Sequence, residues 1–374
     1  MGSRRYVDMG IGSFFGGFTY EQIVPRSHFL VQLNRVINWD VFNDLLIQSY
    51  KGLGETGRPP YPPVVLLKML LIAHLYKLSE RQVEETTNYH LAIKEFVGLA
   101  VTEAAPDHST LGKFKVRLQA AAGWDYLAVV GDQVLQQARA AGIELGKIQV
   151  LDSVHTVADV DNEADRRRQE QGQAPRDPQA QLVNKGRRRR TGPDGQVTVE
   201  KVQYRGYKSS VSLNAETGLI TSVRPTGGSA ADNRQAPYLF QHDRKLGLKV
   251  EIYAGDKAYD DTDLHYRLWE RGQRSAFRLQ DYRTKGDNPR HRLWREMQET
   301  PEYQAGGAER YKIEQKFGEA KRWHGFGRCR YVGLVRYGIQ AHLTALVLNL
   351  KRIVLLLTGV SFRGSQRRIQ RAVV

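Results

Sequence analysis

Apolar positions recur at helical spacing through the first third of the chain. In "DVFNDLLIQSY", Val41, Phe42, Leu45 and Leu46 share one helical face. Pro62 and Pro63 open a strongly apolar run, Val64 to Tyr76, and proline fits the first turn of a helix. Ser79 and Gln82 have capping-box spacing ahead of the next helix. In "PDHSTLGKFKVRL", Asp107, Ser109 and Thr110 are cap candidates ahead of Lys113, Lys115 and Arg117. A helix after Trp124 runs to about Ala141 and meets Gly142, a stop signal.

The pattern changes near Gly146. "KIQVLDSVHTVADV" is rich in β-branched residues and predicts a strand. Asp161 to Gly195 is polar and arginine-dense, contains "DRRRQEQGQAPRDP" and "KGRRRR", and has no periodicity, so a mobile basic loop is expected over 161–195. "YKSSVSLNAETGLITSVRPTGG" predicts a hairpin turning at Gly218. "LKVEIYAGDKAYDD" predicts a strand, followed by a helix to Gly272 and a strand at "RSAFRL". The last third is mainly helical, and no internal repeat is present. Strands that meander and then alternate with helices predict an α/β domain, a mixed sheet flanked by helices. The expected division is an all-α domain over 1–145, the α/β domain over 146–358 and a mobile basic tail over 359–374.

Charge narrows the partners. The 374 residues carry 56 Lys and Arg against 40 Asp and Glu, a net charge of +16 with a pI near 9.8. That excess favours a polyanion, nucleic acid first and an anionic membrane surface second, over a merely solvated basic surface. Membrane insertion is not expected. Lys68 and His74 interrupt "VVLLKMLLIAHLY", and Asn349, Lys351 and Arg352 interrupt "LTALVLNLKRIVLLL", leaving neither with the ~20 apolar residues of a span. No signal-peptide pattern opens the chain. The single cysteine, Cys329, cannot form an internal disulfide or a cysteine-based zinc site, and a reducing cytoplasm fits best.

Three carboxylates carry candidate chemistry. Asp152 and Asp256 each stand at the end of an apolar strand, where α/β sheets often hold catalytic groups. Either alone reads as a turn cap; two at matching positions point to a shared site. In "ERYKIEQKFGEAKRWHGF", helical geometry puts Ile313, Phe317 and Ala320 on one apolar stripe. Arg310, Glu314 and Lys321 fall together on the adjoining face, while Glu319 lies round toward solvent. Glu314 is therefore the third candidate, with an ion pair to Arg310 as the alternative role. Two aspartates and a glutamate suit a hard divalent cation, Mg²⁺ or Mn²⁺. Two such ions can serve phosphodiester chemistry, with the basic surface holding DNA.

These residues carry a family likeness. The chain resembles the DDE transposases of bacterial insertion sequences, in the families numbered four and five. The Asp152 strand is the first shared motif. The second, Asp-x-(Gly/Ala)-(Tyr/Phe), is present as Asp256, Lys257, Ala258 and Tyr259. The third, Tyr-x2-Arg-x3-Glu-x6-Lys, is met by Arg310, Glu314 and Lys321, with Gly307 where the family has tyrosine. "GRPPYPPVVLLKMLLIAHLYKLSERQVEE", "PDHSTLGKFKVRL", the central hairpin and "HLTALVLNLKRI" extend the likeness from about residue 25 to 355.

The resemblance implies an RNase H-like core in which Asp152, Asp256 and Glu314 hold two Mg²⁺ ions, with Mn²⁺ as substitute. It implies cutting at transposon ends and attack of the freed 3′-hydroxyl on target DNA. Arg310 and Lys321 would contact phosphates near the cut, with Lys257 and Tyr259 beside the metals or on DNA. The helical domain would bind terminal inverted repeats, with Lys113, Lys115 and Arg117 as contacts, in a homodimer that pairs two ends of duplex DNA. The setting would be bacterial cytoplasm, at the nucleoid. Two other classes remain open: a domesticated DNA-binding protein that has lost catalysis, and a nuclease of the same fold without strand transfer. "KGRRRR" reads as a solvated loop that gains DNA contacts, His155 as a packing or surface residue, and Trp323 and Tyr331 as core before base-stacking groups.

Overall fold

Eight helices precede the first strand among the described residues: α1 (Phe14–Ile23), α2 (Phe29–Val36), α3 (Val41–Ile47), α4 (Pro63–Leu75), α5 (Glu80–Tyr89), α6 (Leu91–Val97), α7 (His108–Ala120) and α8 (Gly123–Ala140). The computed structural model describes residues 14–50, 59–120, 123–191, 196–286 and 288–363. All thirteen residues of α4 are buried, so it has no polar face to present. Its Lys68 donates to Asn34 Oδ1 at 2.9 Å, and its ammonium lies 4.9 Å from the Trp39 ring centroid and 5.1 Å from that of Phe96. Burial pulls that ammonium down to about 7. The capping box at the start of α5 forms as its spacing predicts. Gly142, just after α8, takes a φ of +95°, which glycine adopts at little cost. In α3, Phe42 and Leu46 are buried, whereas Val41, expected on the same face, is 41% exposed.

The remaining elements are β1 (Ile148–Val157), α9 (Asn162–Glu170), β2 (Gln181–Thr191), β3 (Val197–Asn214), β4 (Ile220–Gly227), α10 (Asp232–Lys245), β5 (Ile252–Gly255), α11 (Thr262–Trp269), β6 (Arg274–Phe277), α12 (Asp281–Thr284), α13 (Pro289–Gln298), α14 (Pro301–Glu309), α15 (Tyr311–His324) and α16 (Leu334–Thr358). They build a six-stranded mixed sheet. β3 runs antiparallel to β1, β2 and β4, while β5 lies parallel to β1 and β6 parallel to β5. Helices α10 and α11 connect β4 to β5 and β5 to β6. A three-strand meander extended by two parallel strands with crossover helices is the RNase H-like topology. The hairpin turn falls at Gly218, φ +70°, as expected.

Two expectations need correction. The segment 161–195 is not an irregular loop over most of its length. Asp161 caps α9 by accepting from the amides of Glu163 (2.9 Å) and Ala164 (3.1 Å). Acidic residues in its first turn and Arg167 and Arg168 in its last suit the helix dipole. "KGRRRR" lies within β2; residues 192–195 fall outside the described residues. Polar caps and backbone ladders, not an apolar stripe, hold these elements, so apolar periodicity could not reveal them.

The second correction concerns the closing segment. Contacts divide the chain into one unit within Met1–Glu144 and His342–Val374, and another, Leu145–Ala341. The first boundary sits beside residue 145, but residues 342–358 group with the helical unit and not with the sheet. Phe362, expected in a mobile tail, packs on Phe29 (5.1 Å) and Tyr76 (5.2 Å) within the helical unit. The rest of the tail, 364–374, lies outside the described residues. Helix α16 is long and apolar enough to cross a membrane, yet 67% of its most apolar window is buried in protein, as in a core helix.

Helices cover both faces of the sheet. Leu151, Tyr253 and Phe277 pack with Ala236, Leu239 and Phe240 of α10 and with Leu264 and Leu268 of α11. On the buried side of α10, the fully buried Asp243 accepts from Ser212 Oγ and Thr221 Oγ1, each at 2.7 Å. Burial pushes its carboxyl up to about 6, against the hydrogen bonds of Thr221 and Ser212. On the opposite face α14 presses close at Gly306. A Cβ there would sit 2.5 Å from Ala276 Cβ and 2.9 Å from Ile252 Cγ2, whereas one at Gly307 would meet nothing within 4 Å.

Two predictions follow from this packing. Gly306→Ala should destabilise by about 1–3 kcal/mol through overpacking, outweighing its helix propensity. Gly307→Ala should raise stability by up to about 1 kcal/mol; equal effects in urea melts would show that α14 does not touch the sheet at Gly306. For Asp243, a folded carboxyl raised above its ordinary 3.8 loses relative stability as pH climbs from about 4 to about 6, because only the unfolded chain ionises freely there. The loss is about 3 kcal/mol across that window. The stability difference between the parent protein and Asp243→Asn should therefore move by that amount between pH 4 and 7, and a pH-independent difference would refute it.

Candidate active site

The parallel pairing of β1 with β5 sets Leu151 against Gly255. Asp152 and Asp256 follow these two residues, so the carboxylates stand side by side, with strands ~4.8 Å apart. Asp256 lies just past the end of β5 as expected, but Asp152 is in the middle of β1, which runs on to Val157 along β3. Alternation puts Asp152 on the face of Val150 and Asp256 on that of Ile252 and Ala254, the face covered by α14 and α15. Both aspartates are partly buried. Asp152 Oδ1 accepts from the Ser153 amide at 2.7 Å, and Asp256 Oδ1 from the Ala258 amide at 2.9 Å. The turn-capping role therefore occupies one oxygen of Asp256. The second oxygen of each has no donor among the described residues. Burial pushes the Asp152 carboxyl up to about 7; the Ser153 amide and Arg310 pull it down, while the charges of Asp256 and Asp232 raise it further.

Helix α15 packs on β1 and begins just after Arg310, whose backbone is itself helical (φ −57°, ψ −35°). Ile313 and Ala320 are buried as the stripe predicts. Glu314 stands clear, its side chain 63% exposed, and Arg310 Nη2 lies 3.7 Å from its Oε1. The i, i+4 ion pair left open by the sequence is thus formed, and the same guanidinium acts on Asp152. Arg310 thus links Glu314 to Asp152, while Glu314 itself is not among the charges that act on Asp152. Glu319 pairs with a neighbouring base, Lys316, at 3.4 Å, and at 28% side-chain exposure it is more covered than its expected solvent-facing position implies. Lys321 is exposed on α15.

The other candidates are more engaged than the sequence suggested. Lys257 forms an ion pair with Asp281. Tyr259 is fully buried against Phe277, and its hydroxyl has no hydrogen-bond partner among the described residues. Burial, then the charges of Asp232, Asp152 and Asp256, hold its phenol well above the usual range. It lies beneath the carboxylates and is covered from solvent, against a direct DNA contact. On α7, Lys113 is exposed, Lys115 is paired with Glu80, and the Arg117 guanidinium lies 4.3 Å from the Tyr50 ring centroid.

Sequence reading missed Lys208 and Asp232. Lys208 Nζ donates to both Asp232 oxygens at 3.1 Å and to the Ala230 carbonyl at 2.7 Å, and the pair is largely buried. Asp232 is the carboxylate whose charge reaches both Asp152 and Tyr259. A lysine inside an otherwise buried strand run, "YKSSVSL", was the available signal, since a buried ammonium demands a partner.

An all-oxygen donor set suits a hard divalent cation, and the site bears the mark of needing one. Asp152 and Asp256 each leave one oxygen without a donor among the described residues, and a cation could take both. Glu84, Asp107 and His108 in the helical unit also bring ligand atoms within 4.8 Å. Those atoms already satisfy one another: Glu84 accepts from the His108 amide at 2.9 Å and contacts its Nδ1 at 2.7 Å, and Asp107 accepts from the Ser109 amide at 2.6 Å.

Comparison with known proteins agrees with this architecture. Residues 18–117 match the family described as Transposase domain (DUF772), and residues 131–350, more than half of the chain, match Transposase DDE domain. A solved piggyBac transposase synaptic complex with hairpin DNA aligns with 98% of this chain and 81% of that one, at 10% identity and a TM-score of 0.43, too distant to bear on function. The chain belongs to the DDE transposases, in their insertion-sequence form, and is a DNA transposase.

Proposed function

We propose that Asp152, Asp256 and Glu314 are the ligands of two divalent cations, Mg²⁺ with Mn²⁺ as substitute, in a site that cleaves DNA at transposon ends and joins the 3′-hydroxyl to target DNA. One observation carries this reading. Asp152, in the middle of β1, and Asp256, just past the end of β5, stand in adjacent register with a free oxygen each, and burial and Asp256 raise Asp152 to about 7. Bound cations would activate the attacking oxygen and stabilise the leaving oxygen of the phosphodiester. The chain's own groups do the rest. Arg310, beside Asp152 and Glu314, would hold a phosphate oxygen with its fork of donors, and Lys321 a neighbouring one. Tyr259, packed under the carboxylates, would fix their positions and keep water from beneath them. The Lys208–Asp232 pair would anchor the start of α10 behind the site.

End recognition would rest with the helical unit, with Lys113 as the accessible cation of α7. Two copies would pair two ends, in bacterial cytoplasm at the nucleoid. Joined products, and not nicked DNA alone, separate a transposase reaction from that of a nuclease of the same fold.

The test is cleavage and joining of duplexes carrying the inverted repeats that flank the gene, with Mg²⁺ supplied. Asp152→Asn, Asp256→Asn and Glu314→Gln should each lower cleavage by at least ~100-fold, because metal-held charge supplies several kcal/mol to the transition state. Binding to the ends should change little. Glu319→Gln, whose carboxylate pairs with Lys316, should cleave like the parent. Near-parental cleavage by any one of the three ligand variants would remove that residue from the site.

A further inference from the structure

The β2–β3 hairpin reaches beyond the sheet that supports it. β1 pairs with β3 only over residues 206–214, and β4 only over residues 207–213. Residues 197–205 of β3 pair along a ladder with β2 alone. A register shift between Asn184 and Arg187, with Gly186 at φ +85°, bends and twists the outer part. What projects is a two-stranded ribbon built from "KGRRRR" and "VTVEK".

Cross-strand partners share a face of such a ribbon. Arg187 stands opposite Lys201, Arg189 opposite Val199 and Thr191 opposite Val197. All six residues are exposed, with Val197 at 58% and Val199 at 53%. One face therefore presents three cations and two exposed valines. Among the described residues, no carboxylate pairs with Arg187, Arg189 or Lys201. Like charges directly opposite destabilise a ladder, and a two-stranded ribbon with no core beneath it is marginal in water. The arrangement costs stability unless an anion meets it.

We propose that this ribbon is a DNA-binding arm that grips the phosphate backbone of duplex DNA away from the reacting phosphate. A two-stranded ribbon fits the major groove of B-DNA, and arginine and lysine on its face neutralise phosphates without reading sequence. Asp152 pairs with Val211, and Lys201 lies ten residues further along β3. At ~3.3 Å per residue that is about 33 Å along the strand, roughly one turn of duplex. The arm thus adds affinity and not chemistry. The identity of the polyanion rests on the transposase reading; the exposed cations, without a carboxylate partner among the described residues, do not.

The experiment is binding of the full chain to random-sequence duplex, without divalent cation, across a salt series. The triple variant Arg187→Gln, Arg189→Gln, Lys201→Gln should flatten the slope of log affinity against log salt by about 2.7, or ~0.9 for each lost phosphate contact. Its melting temperature should stay level or rise slightly. Single-turnover cleavage of saturating end DNA should match the parent. An unchanged salt slope overturns the proposal, as does a loss of binding that only accompanies a large fall in melting temperature. The two readings fail separately: a protein whose ribbon governs duplex binding but which cleaves nothing retains the arm and loses the proposed reaction, and an active enzyme with an unchanged slope does the reverse.

Discussion

The parallel pairing of β1 with β5 is the constraint on which the rest of the catalytic unit depends. It puts Leu151 beside Gly255 and so brings two carboxylates, 104 residues apart in sequence, to neighbouring positions, one within β1 and one just past the end of β5. That pairing needs tight packing on both faces. On one, a Cβ at Gly255 would lie 2.9 Å from the Tyr259 ring and 3.1 Å from Phe277, so glycine lets both aromatics close under the strand end. On the other, Gly306 lets α14 settle onto Ile252 and Ala276, which brings the following helix, with Arg310 and Glu314, over β1. A shift of one residue in the β1–β5 register would send Asp152 to the opposite face.

Gathering acids has an electrostatic cost that the surroundings offset only in part. Lys208 compensates Asp232, and Arg310 divides its charge between Glu314 and Asp152. Asp152 remains pushed toward its neutral form, and the Tyr259 hydroxyl has no hydrogen-bond partner among the described residues. Such incomplete compensation supports the proposal that this site receives an added cation. Asp243 shows the contrast: it too is buried and raised, but Ser212, Thr221 and Tyr253 give it hydrogen bonds and no second carboxylate stands beside it.

What could be read in advance divides along physical lines. Helix α4, the Ser79 capping box, the stop at Gly142, the hairpin at Gly218 and the stripe of Ile313 and Ala320 were legible because apolar period and local turn chemistry dictate them. Asp256 was legible as a strand end, whereas Asp152, expected at one, lies mid-strand because β1 runs on to Val157 against β3. Whether they stood together was not, because register between distant strands leaves no local trace. Glu319, expected as a surface charge pairing with neighbouring bases, does pair with Lys316, but helical phase could not show how far it is covered. Lys208 and Asp232 escaped notice because their partnership spans a hairpin and a loop.

Helix α9 and the outer ribbon were hidden for a different reason. Neither has an apolar face. Asp161, the helix dipole and an Arg166–Glu170 pair at 3.2 Å hold α9, and backbone ladders hold the ribbon. Apolar periodicity reports apolar burial, so an element that buries no apolar face looks like a loop, even where, as in α9, it buries Asp165. The converse is informative. Order without burial must be sustained by something other than a core, and in the ribbon the residues that could have softened the ladder instead set Arg187 against Lys201. The sheet already holds β3 by its inner half, which lets the outer half carry unfavourable charge without unfolding the unit. A strand anchored at one end and cationic at the other can meet a polyanion with its shape already formed, and it then spends little ordering entropy on binding.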